Sequence, residues 1–268
     1  MDLNITGAKV YVRITSLFEK FGDVLGNLVT QTTISLLAVT VTIMVIALIA
    51  SKNLKKRPGR LQVVTEKLVT MLYGLVEDTM GKHNVRFAPY IGTLFLSSVV
   101  GTLIGMTQIF RSTTADLSVT AAWALVTIVM VWYYNIKNFG LKRWLKGFTE
   151  PIAVMTPMNI VSEIATPVSM AFRHFGNVAG GSVLTTLIYT ALAGLNNLIF
   201  GWLPKAVLEV FPTFFQAGIP AFLSIYFDLF SGFVQALVFS LLTMVYVGAA
   251  CPPPEELPEK KAKKQKTN

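Results

Sequence analysis

Residues 157–200 read PMNIVSEIATPVSMAFRHFGNVAGGSVLTTLIYTALAGLNNLIF, a run apolar enough for lipid that nonetheless carries Glu163, Arg173 and His174. A guanidinium keeps its charge inside a protein. Holding one at mid-membrane depth costs roughly 3 to 17 kcal/mol, depending on the reference state. Such a charge is retained where it has a partner and a task. On a helix, Ser169, Arg173 and Asn177 fall at i, i+4 and i+8 on one face, and Gly181 is expected to continue it. Gly176 and Gly180 are spaced four apart on a neighbouring stripe. Small residues let a second helix approach closely, so the pattern reads as an arginine presented to a partner helix. An arginine that merely anchors a bundle is the plainer alternative. Pro167 has no N–H and would leave the Glu163 carbonyl without its helical donor, beside a carboxylate. The plainer reading of this pair is a simple kink, with Glu163 reaching to the interface. His174 points about 100° away from Arg173. A proton relay and a packed, hydrogen-bonded histidine are both open for it.

Outward from this stretch, the 268 residues are 53% hydrophobic and 14% charged. A soluble domain carries about 25% charge. An all-α integral membrane protein follows, with a single membrane domain over residues 1–250. A span needs about 20 apolar residues. Five are expected: Ile34–Ala50, Tyr90–Phe110, Val119–Ile136, Asn159–Phe200 and Ile219–Val247. The last two are long, which implies strong tilt or excursions beyond the hydrocarbon. Between the first two, Leu61, Val64, Leu68, Leu72 and Leu75 recur at helical spacing. They predict an amphipathic helix at the membrane interface or against a soluble partner. Residues 1–23 mix both charge signs and do not read as a cleavable signal.

Lys52, Lys55, Lys56, Arg57 and Arg60 follow span one. Lys137, Lys142, Arg143 and Lys146 follow span three, and Lys260, Lys261, Lys263, Lys264 and Lys266 follow span five. The alternate loops offer Arg111 and Lys205. The positive-inside rule then puts the N-terminus outside and the C-terminus in the cytoplasm. Residues 251–268, CPPPEELPEKKAKKQKTN, read as a disordered cytoplasmic tail. The net charge of +9 lies in these loops rather than on one soluble face, which argues against nucleic acid as a partner. The single cysteine, Cys251, permits no disulfide within the chain.

Span five carries its own polar stripe. Ser224, Asp228, Ser231 and Gln235 are spaced four, three and four apart, and Tyr246 follows eleven residues on. In an unbroken α-helix this lines one side, as a water-filled path or as glue between helices. Glu163, Arg173 and Asp228 are the charged residues left within the last two spans, and each is a functional candidate on that ground. The sequence has no GxxxxGK[ST] phosphate loop, no metal-ligand spacing around His83, His174 or Cys251, and neither GxSxG nor HExxH. No cofactor and no metal is expected. A self-contained secondary transporter is the competing class, but it predicts an internal repeat that the two halves do not offer.

SMAFRHFGNVAGG, residues 169–181, resembles the signature around the essential arginine of subunit a of the bacterial rotary ATP synthase. NLKKRPGRLQ with VEDTMG, STTADLSVTAAWAL, PMNIVSEIATPVS and FVQALVFSLLTMVYVG resemble its further segments in order. The resemblance covers about residues 30–250. It implies a non-enzymatic stator subunit beside a rotating ring of proteolipid c-type subunits, held by b-type peripheral stalk subunits. It implies the other ATP synthase subunits as further partners and the bacterial inner membrane as location. Two offset half-channels would carry protons or sodium ions to and from the ring. Arg173 takes the place of the essential arginine, Gln235 of the glutamine facing it, and Asn177 of an asparagine one turn on. Glu163 matches the carboxylate of the cytoplasmic half-channel, and Ser169 and Tyr246 match polar positions of the path. Ser182 stands where some members have a glutamate, and Asp228 where they have histidine, so Asp228 is left as the titratable group of the outer half-channel. STTADLS departs from the usual proline and asparagine around Asp116.

The charge asymmetry makes topology testable. A fluorescent protein fused after Asn268 should fold and fluoresce in the cytoplasm, and alkaline phosphatase fused there should be inactive; the opposite pair of results would reverse the orientation.

Overall fold

The structure, a computed structural model, describes residues 10–12, 29–52, 58–107, 112–150, 152–200 and 225–256. Its helices are α1 (Gln31–Ser51), α2 (Arg60–Met80), α3 (Ala88–Met106), α4 (Leu117–Phe139), α5 (Leu141–Gly147), α6 (Thr156–Phe200) and α7 (Gly232–Ala250). A π-helix, Ile225–Ser231, leads into α7. Five helical stretches are long and apolar enough to cross a membrane: Thr32–Ser51, Lys82–Gly105, Leu117–Phe139, Thr156–Leu192 and Leu229–Ala250. The all-α reading with five spans therefore holds. A small antiparallel pair, β1 (Val10–Val12) with β2 (Val29–Thr30), was not expected from the sequence. Of the expected spans, residues 108–110 and 219–224 lie outside the described residues.

Helix limits follow local chemistry. α1 holds 21 residues without a charge. α2 begins after Pro58-Gly59 and stops at Gly81, whose φ of 83° suits glycine and whose N–H caps the Glu77 carbonyl. Gly140, φ 86°, separates α4 from α5 in the same way. The amphipathic reading of α2 is half changed by packing. Leu61, Val64 and Leu68 are exposed, while Leu72 and Leu75 pack on a core that buries Val76 and Met80.

The chain forms two compact units. One comprises residues 37–97, 117–172 and 237–268. Its larger core joins Val76, Met80, Phe87, Ile91, Ile128, Val131, Met244 and Val247. A second cluster gathers Leu94, Ala124, Met170, Ala171 and Phe239, with Trp123 edge-on to Phe239. Side chains close the end of α7. Asn84 Nδ2 donates to the Cys251 carbonyl at 2.8 Å and to the Met80 carbonyl at 3.0 Å. Asn138 Nδ2 donates to the Ala250 carbonyl at 2.8 Å, and His83 Nε2 lies 2.9 Å from the Cys251 carbonyl. Cys251, at the head of the polar tail, is thus buried. Burial pushes its thiol pKa up, against the pull of the nearby Arg86 charge. Residues 257–268 of that tail lie outside the described residues.

The other unit comprises residues 1–36, 98–116 and 173–236. It is held by polar contacts. Thr32 Oγ1 donates to Asp116 Oδ2 at 2.7 Å, and Ser112 Oγ lies 2.9 Å from Thr114 Oγ1. Gly232 lets α7 approach Thr102, because a Cβ there would sit 2.5 Å from Thr102 Cγ2.

Asn84→Ala removes two hydrogen bonds to backbone carbonyls and Asn138→Ala removes one, each bond worth about 1–3 kcal/mol. Thermal denaturation in detergent should show both midpoints lowered, Asn84→Ala more than Asn138→Ala.

Candidate functional site

α6 runs from Thr156 to Phe200 without interruption at Pro167. Along it Ser169, Arg173, Gly176, Asn177 and Gly180 are exposed, whereas Met170, Ala171, His174 and Gly181 are buried. Arg173 makes no ion pair among the described residues. A Cβ built on Gly176 or Gly180 would meet nothing within 4 Å. These two glycines therefore serve no packing need among the described residues, unlike Gly232. The expectation for Gly181 is corrected. Eight residues turn an α-helix by about 80° beyond two full turns, which carries Gly181 off the Arg173 face, while seven residues bring Gly180 back to within about 20° of it.

Behind this face the chain ties α6 to α7. Asn177 Nδ2 donates to Gln235 Oε1 at 2.6 Å, and Gln235 is only 4% exposed. Gln235 Nε2 is buried and has no acceptor among the described residues. His174, fully buried, places Nε2 3.0 Å from Ser98 Oγ. Of the two readings open for His174, the structure displays the hydrogen-bonded, packed one.

Nearer the start of α6, Glu163 is half-buried and its Oε1 accepts the Trp132 indole N–H at 2.6 Å. Trp132 in turn meets Trp144 edge-on, with centroids 6.3 Å apart. Asp228 lies within the π-helix Ile225–Ser231. A π turn holds more residues than an α turn, so the unbroken α phase expected to align Asp228 with Gln235 is not present. The side chains of Asp228 and Ser182, and all of Ser224, lie outside the described residues. Tyr246 is half-buried and packs on both apolar clusters of its unit. Sequence reasoning brought forward Asn177 and Gln235, which do meet. It missed Ser98, Trp132 and Thr32, which look like ordinary span residues. The one available hint was Ser97-Ser98, a hydroxyl pair within an apolar run.

A family model described as ATP synthase A chain matches residues 32–248. The chain belongs to this family. It is 33% identical over 201 residues to "ATP synthase subunit a 1" of Crocosphaera subtropica, covering 74% of this chain and 77% of that one. It is 29% identical over 250 residues to "ATP synthase subunit a" of Desulforamulus reducens, covering 92% and 88%. It is 32% identical over 244 residues to "ATP synthase subunit a, sodium ion specific" of Propionigenium modestum, covering 85% and 76%. As a member of the ATP synthase A chain family, this is a multi-pass membrane protein and an ion-translocating component of the multisubunit ATP synthase, not itself catalytic.

The open glycine track yields a sharp expectation. Gly176→Leu and Gly180→Leu should leave the thermal midpoint of the isolated chain unchanged, because the added side chains meet nothing within it. Both should sharply reduce copurification of the other ATP synthase subunits, measured by subunit ratios after affinity capture. Normal ratios would show that no helix packs on this track.

Proposed function

We propose that this chain is the stator ion channel of the rotary motor, and that Arg173 is the fixed charge separating two offset half-channels. The observation that carries this reading is the exposed face of α6. There a permanent cation without an ion pair among the described residues lies beside glycines with open space above them. A partner helix with a carboxylate at that depth satisfies both features, and a ring of c-type proteolipid hairpins is such a partner.

Ions enter from outside along Asp228 and Ser182 and neutralise a ring carboxylate, which can then face lipid. After most of a turn the carboxylate reaches the inner half-channel near Glu163 and gives up its ion. The resulting anion pairs transiently with Arg173, whose charge favours the ionised form. The pair must open at every step. Gln235 and Asn177, joined at 2.6 Å, and Ser169 one turn earlier supply polar groups that moderate it, and Tyr246 extends the path on α7. The Trp132 indole holds the Glu163 carboxylate through one neutral donor. Each charge crossing 100 mV supplies about 2.3 kcal/mol, so ATP synthesis needs several ions per ATP, which a ring accumulates. The charge pattern supports an N-terminus outside, a cytoplasmic C-terminus and a bacterial cell membrane, with b-type peripheral stalk subunits as the remaining membrane partners. The transported ion is a proton or a sodium ion, and the ring's own ligands select between them.

Arg173→Ala should abolish ion-driven ATP synthesis in reconstituted vesicles while the complex still assembles. Asp228→Asn should assemble normally and transport far more slowly. Near-normal synthesis by Arg173→Ala would sink the assignment.

A further inference from the structure

We propose that His174 is a positioning residue whose hydrogen bond to Ser98 sets the roll of α6 and so the direction in which Arg173 is presented. This rests on the role proposed for Arg173 above. Consecutive helical residues diverge by about 100°, so anchoring one side chain fixes the heading of the next. Arg173 is exposed and His174 is 0% exposed. The anchor comes from another helix: Ser98, on α3 and itself fully buried, lies 3.0 Å from His174 Nε2.

The chemistry suits imidazole. A ring nitrogen can donate to or accept from a hydroxyl. Leucine, of similar bulk, can do neither and would leave the Ser98 hydroxyl buried without that partner. Asn177, one turn beyond Arg173, separately holds the Gln235 side chain. The heading of Arg173 is locked from behind by His174, away from the face a ring would occupy. Released from this lock, α6 is free to roll. The guanidinium then no longer meets every passing carboxylate in one place, and ions slip between half-channels. Nothing in this role requires the ring to change protonation.

The test uses the whole ATP synthase in inverted membrane vesicles, with ATP-driven ion pumping normalised to assembled complex. His174→Leu should pump about tenfold less per complex, the scale of one lost buried hydrogen bond, and should raise passive ion leak. His174→Gln, which keeps an acceptor for Ser98, should retain most of the pumping. Ser98→Ala should fall between, and the double variant His174→Leu with Ser98→Ala should be no worse than His174→Leu alone, because the two groups share one bond. A residue of purely structural value would lower the amount of complex and leave pumping per complex unchanged, and that result for His174→Leu overturns the proposal. Additive losses in the double variant also overturn it. Should His174→Leu fail to assemble, Ser98→Ala decides: reduced pumping per complex supports the lock, and normal pumping overturns it. Arg173→Ala serves as the control. Normal pumping there defeats the underlying reading, whereas its loss beside normal pumping in His174→Leu defeats this inference alone.

Discussion

In hydrocarbon a polar group has no water to fall back on, so it must be paired within the protein or offered to a partner. That constraint organises this chain. Apolar contact alone discriminates poorly between helices in lipid, because lipid tails are as apolar as leucine. The specific joints are accordingly polar: Asn177 with Gln235, His174 with Ser98, Thr32 with Asp116, and Asn84 and Asn138 with the carbonyls that end α7. Each fixes a helix or a helix end against a distant part of the chain.

Against this background Arg173 is the exception. The chain hydrogen-bonds the side chains of Asn84, Asn138 and His174, yet leaves its most costly group on an exposed face without an ion pair among the described residues. Its neighbours Gly176 and Gly180 stand over open space. A lysine there could shed its proton when buried, whereas a guanidinium stays charged whatever approaches it. Permanent charge beside an open track suits a group whose partners come and go. Under the proposed function, that is what a fixed element beside a moving one requires.

Much of the architecture was legible from composition. Apolar runs, loops rich in lysine, and glycines at helix ends specify helix number and approximate limits, and those limits agree within a few residues except at the start of the fifth span, where residues 219–224 lie outside the described residues. The Arg173 face was legible because i, i+4 geometry depends only on helix rise and turn. The same arithmetic, carried too far, misassigned Gly181: small phase errors grow with each turn. On the last span the stripe from Ser224 to Gln235 assumed one helical period, and the π-helix Ile225–Ser231 breaks it. Propensity along a chain carries no signal for an extra residue in a turn, since close packing such as Gly232 against Thr102 is a non-local demand.

The sequence by itself determined that the chain enters lipid, how many times it crosses, and which residues are too costly to be there by accident. Those properties are sums over local transfer energies and follow from residue identity. Only the tertiary structure decided which polar groups find each other. Ser98 and His174 are 76 positions apart, Trp132 and Glu163 31, and Asn177 and Gln235 58. Local periodicity cannot specify such pairings, because a hydrogen bond depends on distance and direction within a few tenths of an ångström. They are selected when helices pack, and they separate the polar groups that hold helices together from Arg173, which makes no ion pair among the described residues.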